Sequence, residues 1–224
     1  MWGKVVDMEV DMERVVSDSE QPKLSVINLF GGPGVGKSAT RSGLFWLMKV
    51  KGMSVEEVSE YAKFLVLSGR EWQLASDQLS VMASQHHKML ILRGKYQYAV
   101  TDSPLMLASF YAPKDSPKSF GRMCEEYAAQ YDNVNFFLTR DFSRGGFEAQ
   151  GRIHSQEDSI RIAGEQKEFL AKIGQQWIEL EIDDAAPWSI LEALEGLRPG
   201  SVPARGPKRP EGMAAPALGR KAPR

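Results

Sequence analysis

The chain has 224 residues, of which 42% are hydrophobic and 25% are charged, with a formal net charge of −1 at pH 7. These values are typical of one globular domain and exclude a protein that binds polyanions through its overall charge. No apolar run is long enough to cross a bilayer, and the single cysteine, Cys124, excludes an internal disulfide, so we expect no membrane association and a cytoplasmic location.

The first 22 residues alternate apolar and acidic side chains, a pattern that fits either an edge strand or a helical arm. They lack the basic and apolar regions of a secretion signal. The first predicted strand covers 23–30, an apolar run rich in strand formers. We interpret 1–22 as an acidic N-terminal arm and 23–198 as one domain.

The segment after this strand carries the most specific pattern of the chain, Gly31-Gly32-Pro33-Gly34-Val35-Gly36-Lys37-Ser38, followed by Ala39. Two glycines separated by four residues and followed by Lys and Ser form a phosphate-binding loop when a strand precedes them and a helix follows, here 39–51. The backbone N–H groups would cradle phosphate oxygens, Lys37 would reach the terminal phosphates, and Ser38 would ligate Mg²⁺. We therefore predict ATP and Mg²⁺ as ligands of this segment.

Strands and helices alternate along the rest of the domain. The predicted strands are 54–58, 96–101, 134–138 and 177–182, and the predicted helices are 61–67, 71–92, 105–111, 120–130, 156–173 and 188–197. This alternation predicts an α/β fold with a mainly parallel sheet of about five strands and helices on both faces. Ligands bind such sheets beyond the carboxyl ends of the strands, so 31–38, 57–60, Asp102 and Arg140 should meet at one rim.

Carboxylates follow the second and third predicted strands. Asp102 could hold Mg²⁺ opposite Ser38, or it could cap the helix that Pro104 begins; we select Ser38 and Asp102 as metal ligands. Glu60, with Glu57 close by, could accept the proton of an attacking hydroxyl, and Lys63 would keep it ionised. The alternative for Glu60 is an ordinary surface ion pair.

The segment 140–161 combines glycines with four arginines, Arg140, Arg144, Arg152 and Arg161. Guanidinium groups bind phosphate in a bidentate manner, and a glycine-rich loop can close over a nucleotide. We predict an arginine-rich lid and select Arg152 and Arg161, the second of which would point back at the phosphates from the following helix. An exposed loop with solvated arginines is the alternative.

The predicted helix 71–92 carries polar and aromatic side chains among apolar ones. Trp72 and Gln73 could stack on and read a planar base, whereas Leu79 should lie in the core. We interpret Cys124 as a packed small side chain.

From Pro199 onward the composition changes to prolines, alanines and basic residues, which predicts a disordered tail over 199–224. The basic residues are Arg205, Lys208, Arg209, Arg220, Lys221 and Arg224. The tail could simply aid solubility, or it could contact a polyanion, for which DNA is our first candidate.

Residues 24–197 resemble P-loop kinases of the nucleoside and nucleotide type, similar to thymidylate kinases and nicotinamide riboside kinases. The resemblance rests mainly on the phosphate loop. It is supported by Glu60-Tyr61-Ala62-Lys63, which is similar to a Glu–Arg pattern of deoxynucleoside kinases, and by the lid-like run Gly151–His154. In contrast, Asp102-Ser103-Pro104 lacks the Arg that those enzymes carry there.

This resemblance implies a three-layer P-loop kinase sandwich with an arginine-rich lid, and a kinase that transfers the γ-phosphate of ATP to a nucleoside- or nucleotide-type acceptor. The implied catalytic residues are Lys37, Glu60, Asp102, Arg152 and Arg161. One phage subgroup phosphorylates 5-hydroxymethyluracil within DNA, a substrate that would suit a basic tail. The alternatives are a P-loop ATPase used as a switch and a nucleic-acid-binding accessory protein, and a homodimer is left open.

Overall fold

A computed structural model of the chain describes residues 23–141, 155–203, 206–213 and 219–221. The predicted N-terminal arm lies outside these ranges, as do residues 142–154 of the predicted lid, which include Arg152. The strands are β1 (Ser25–Phe30), β2 (Val55–Val58), β3 (Tyr98–Thr101), β4 (Asp132–Thr139), β5 (Trp177–Glu181) and β6 (Gly219–Lys221). The helices are α1 (Lys37–Val50), α2 (Tyr61–Leu67), α3 (Glu71–Ser76), α4 (Gln78–Leu90), α5 (Leu107–Phe110), α6 (Ser119–Ala128), α7 (Gln156–Lys172) and α8 (Ala186–Leu197).

The strands form one sheet in the order β2-β3-β1-β4-β5-β6, in which the first five are parallel and β6 is antiparallel to β5. In the register of the central strand β1, Ile27 is level with Val100 of β3 and Val134 of β4. The chain builds the sheet first on one side of β1 and then on the other. A ligand is expected at such a reversal, beyond the carboxyl ends of the strands.

Helices cover both faces of the sheet. On one face, α1 and α8 pack on the sheet, and α1 contributes the buried stripe Leu44, Leu47 and Met48 at helical spacing. On the other face lie α4, α6 and α7, with Cys124 fully buried as we expected. Each large apolar side chain buried in this way contributes about 1.5–3 kcal/mol. The two apolar layers fix the sheet, and with it the positions of the loops at its carboxyl edge.

The predicted helix 71–92 is in fact two helices. At Asp77 the backbone leaves helical geometry with φ −139° and ψ 65°, and its carboxylate accepts a hydrogen bond from Ser80 N at 3.0 Å. A side chain that caps α4 in this way replaces the hydrogen bond that a continuous helix would make. Leu79, expected in the core, is 55% exposed.

The described part of the tail contacts α8 and the edge of the sheet, and its predicted disorder stays a prediction. Glu195 of α8 accepts hydrogen bonds from the backbone N–H groups of Gly200 and Val202, at 2.6 and 2.8 Å. Arg209 pairs with Glu192 at 2.8 Å, and β6 adds to the edge of the sheet. A carboxylate at a helix end and an open sheet edge supply these residues with partners that composition does not reveal. Within the described ranges, no helix is both long and apolar enough to cross a membrane.

Candidate active site

The carboxyl ends of the parallel strands open onto one cleft of about 840 Å³. The phosphate loop follows β1, Asp102 follows β3, and Arg140 follows β4; all three line the cleft, together with Glu60 from the connection after β2. The structure thus brings together at one rim the segments that the parallel-sheet rule predicted. The catalytic and metal-binding roles assigned to them stay predictions.

The phosphate loop turns directly into α1. Gly36 is the residue before the first helical turn and has φ 113°, a backbone conformation that side chains with a Cβ rarely adopt. The N–H groups of the first turn of α1 therefore face the cleft without a capping side chain. A helix N-terminus in this position favours an anion through its unpaired N–H groups and its dipole.

Helix α7 closes the back of the loop. A Cβ added to Gly32 would lie 2.3 Å from the carbonyl oxygen of Ser159, so only glycine fits there. The side-chain oxygen of Gln166 accepts a hydrogen bond from Gly31 N at 3.2 Å, and its amide donates to the Tyr111 hydroxyl at 3.0 Å. Gln166 is fully buried. Helix α7 therefore holds the loop against the end of α5.

Lys37 lies folded over the loop itself. Its Nζ donates hydrogen bonds to the carbonyl oxygens of Gly31, at 2.6 Å, and Gly32, at 3.0 Å. A phosphate is a stronger acceptor for an ammonium group than a neutral carbonyl. The lysine is thus positioned at the loop and can turn to an anion bound in the cleft.

Asp102 connects the loop helix to the neighbouring strands. One carboxylate oxygen accepts a hydrogen bond from Ser38 Oγ at 2.7 Å, and the other pairs with Arg41 Nη1 at 2.7 Å. Arg41 Nε also contacts Glu57 at 3.2 Å. The next helix, α5, is preceded by Met106, so the alternative role of Asp102 as a helix N-cap is excluded.

The Ser38–Asp102 pair fits Mg²⁺ as a ligand set. A hydroxyl and a carboxylate at one point are hard oxygen donors, and Mg²⁺ keeps several waters and phosphate oxygens beside one or two protein ligands. Among the described residues, no group of three or more His, Cys, Asp or Glu side chains could hold a metal.

Glu60 lines the cleft near Lys37 of the loop. It precedes α2, and its carboxylate makes no capping hydrogen bond to that helix. Burial raises the pKa of Glu60 above its ordinary value of 4.5, while the nearby Lys37 opposes that rise and Asp102 adds to it. A carboxylate with a raised pKa next to the phosphate loop is suited to accept a proton.

A second layer of contacts supports this wall. Gln85 of α4 is buried; its amide donates to Thr101 Oγ1 at 3.1 Å, and its oxygen accepts from Tyr61 N at 3.3 Å. Lys88, one turn further, donates to the carbonyl oxygen of Ser59 at 2.9 Å. The connection that carries Glu60 is therefore held at both ends by α4.

Two of the sequence expectations are not met here. Arg161 is exposed and pairs along its own helix with Asp158, at 3.1 Å, and Glu165, at 2.7 Å, so it does not point at the loop. Trp72 is 66% exposed, and Gln73 bonds to Ser80 rather than facing the cleft. Neighbouring partners in the helices satisfy these side chains locally. Arg152 lies outside the described residues.

Sequence reasoning missed Arg41 and Gln166. Arg41 stands three residues after Ser38, a spacing that places both on one face of α1, so the signal was present. Gln166 gave no such signal, because its partner Gly31 is 135 residues away.

No family model matches the chain, and a search of curated proteins finds no match. Among solved structures, 79% of the chain aligns with 93% of the thymidylate kinase from Candida albicans, at 10% sequence identity and a TM-score of 0.46. The strand order and the helices on both faces confirm the predicted α/β class, a three-layer sandwich with a mainly parallel sheet. Residues 142–154 of the arginine-rich lid that was predicted with it lie outside the described residues.

Proposed function

We propose that this protein is an ATP- and Mg²⁺-dependent kinase that transfers the γ-phosphate to a hydroxyl of a nucleoside- or nucleotide-type acceptor. The observation that carries the proposal is the continuity of the cleft. It runs from Lys37 and Ser38 past Glu60 to a wall formed by α2, α3, α4 and α5, so a second substrate has room beside the nucleotide. A site for hydrolysis alone has no need of that space.

Each group has a part in this reaction. The loop N–H groups and Lys37 bind the triphosphate, and Ser38 and Asp102 would hold Mg²⁺, which when bound neutralises charge on the phosphates. The acceptor oxygen bonds to the γ-phosphorus while the bond from that phosphorus to the bridging oxygen breaks, and ADP leaves. Glu60 takes the proton of the acceptor hydroxyl.

Labelled phosphate tests the reaction. The protein is incubated with γ-labelled ATP and a panel of nucleosides, nucleotides, vitamins and DNA bearing hydroxymethylated bases. Lys37→Ala should abolish transfer, whereas Lys114→Ala, which changes an exposed lysine of the α5–α6 connection, should not. Circular dichroism checks that both variants are folded. Transfer by Lys37→Ala at the wild-type rate would show that the loop is not the donor site.

The panel also separates the alternative, an ATPase used as a switch. A switch releases labelled phosphate to water at the same rate with and without any acceptor. A kinase forms a labelled organic product whose yield depends on the acceptor added.

We further propose that the basic tail contacts DNA and that one acceptor is 5-hydroxymethyluracil within it, in a cytoplasmic protein. Lys208 of the tail is exposed, which supports such a contact. Because β6 pairs with β5 through its backbone, Arg220→Gln with Lys221→Gln tests charge while keeping that pairing. Log affinity falls linearly as the logarithm of the salt concentration rises. Each DNA phosphate that the variant no longer neutralises should make this slope less steep by about 0.9. An unchanged slope would argue against these side chains as DNA contacts.

A further inference from the structure

The cleft continues from the phosphate loop into what we call the acceptor chamber, the part enclosed by α2, α3, α4 and α5. Its walls are mainly apolar, and the large aliphatic or sulfur-containing side chains that line it include Val66, Leu67, Leu74, Val81, Met82 and Leu107. Val81, Met82 and Leu107 are buried, so the apolar wall is fixed by the core of the domain. Apolar walls with few polar groups are typical of sites that bind the body of a small organic molecule.

Gln78 contributes an uncharged polar group to this chamber. It is 6% exposed, and its amide nitrogen donates to the Leu74 carbonyl oxygen at 2.6 Å. No residue in the described ranges donates to its side-chain oxygen. An amide oxygen on the wall of a cleft can accept a hydrogen bond from a ligand that carries a donor.

The charges around the chamber have the wrong sign for a phosphorylated acceptor. Among the described charged residues that line the chamber, Glu60 and Glu71 are acidic and Lys63 is basic. The other lining cations, Lys37 and Arg140, lie at the ends of β1 and β4, where the nucleotide phosphates belong. A dianionic phosphate in the chamber would face two carboxylates and one ammonium group, which disfavours its binding.

From this charge distribution and the apolar walls we infer that the acceptor is an uncharged alcohol, with an apolar ring face and one hydrogen-bond donor, that carries no phosphate where it enters the chamber. Its hydroxyl lies at Glu60, its donor meets Gln78, and its body packs on Leu74 and Met82. This inference rests on the proposed kinase function and narrows its substrate class. It favours nucleosides over nucleoside monophosphates.

The test uses pairs of acceptors that differ only by a phosphate. Thymidine, uridine and 5-hydroxymethyl-2′-deoxyuridine are each compared with their 5′-monophosphates, by labelled transfer and by binding to the full chain loaded with Mg²⁺ and a non-hydrolysable ATP analogue. For at least one pair, the uncharged member should be preferred by at least about tenfold. Preference for the monophosphates, or no binding of any member, would overturn the inference.

A matched pair of leucine variants locates the effect. Leu74→Gln adds a polar group to the chamber wall and should weaken binding of the preferred alcohol by about tenfold, with ATP binding unchanged. Leu79→Gln makes the same change on an exposed residue that does not line the cleft, and should change neither. Equal affinities for the two variants would show that the chamber does not receive the acceptor.

The two levels of proposal fail in different ways. If label moves from ATP to the monophosphates in preference to the nucleosides, the kinase function stands and the inference on the acceptor is wrong. If label moves only to water, with or without acceptors, the kinase function itself is wrong.

Discussion

Arg41 and Asp102 lie 61 residues apart in sequence and form an ion pair of 2.7 Å between Nη1 and Oδ1. The Asp102 side chain is 1% exposed and that of Arg41 is 12% exposed, so both charges are largely removed from water. Arg41 also contacts Glu57 at the end of β2. This pair therefore ties the loop helix α1 to two strands at the point where Ser38 and Asp102 would hold Mg²⁺.

Removing Arg41 should destabilise the fold strongly. Arg41→Met leaves the Asp102 carboxylate buried without its cation, which typically costs about 3–5 kcal/mol. Urea unfolding at neutral pH measures the change. The control Arg122→Met breaks an exposed pair with Glu126 and should cost less than about 1 kcal/mol.

A double variant separates charge from packing. Arg41→Met combined with Asp102→Asn removes both charges and should be more stable than Arg41→Met alone, because no buried charge is left uncompensated. If the single and double variants unfold at the same urea concentration, the pair does not carry the effect.

Glu60 should make stability depend on pH in one direction. Its pKa is raised by burial above the ordinary 4.5, so the folded state is penalised as pH rises from 4.5 through the folded pKa. Glu60→Gln should therefore be more stable than the wild type at neutral pH, and this advantage should vanish below pH 4.5. Thermal unfolding across pH shows the difference, with the exposed Glu168→Gln as control. A gain that persists in acid would point to a cause other than the raised pKa.

Glu195 should make folding stability depend on pH in the direction opposite to that of Glu60. Hydrogen bonds from Gly200 N and Val202 N lower the pKa of Glu195 below its ordinary 4.5. Its stabilising contribution is present above 4.5 and is lost as pH falls through the folded pKa. Glu195→Gln should thus be less stable than the wild type at neutral pH and approach it in acid. The same unfolding series measures this, and a pH-independent difference would contradict it.

Gly32→Ala should damage both stability and nucleotide binding. The new Cβ would lie 2.3 Å from Ser159 O and 2.6 Å from Ser159 Oγ, so α7 must move away from the loop. The matched control is Gly164→Ala on the same helix, where the added Cβ meets nothing within 4 Å. That change should stabilise the protein by about 0.5–1 kcal/mol. Thermal unfolding and ATP titration compare the two; equal ATP affinity would show that α7 does not position the loop.

Local patterns of the sequence predicted most of the elements. The strands before and after the phosphate loop, the α1 stripe of Leu44, Leu47 and Met48, and the alternation of strands with helices all follow from periodicity, which each segment carries by itself. The break at Asp77 was missed because capping competes with helix propensity, and only the geometry shows which prevails.

The candidate site also has a part that local sequence predicted and a part that only the folded structure shows. Gly31 to Ser38 are contiguous in sequence, so a phosphate site at the end of β1 could be predicted from local spacing alone. Only the folded chain shows that Asp102 is held by Arg41 rather than capping a helix, that Gln166 supports the loop, and that Arg161 pairs along its own helix. Some of these contacts form because separate elements pack together, and others form because a charged side chain has several possible partners and pairs with one of them. The residue spacing within a single segment reveals neither the packing nor the partner.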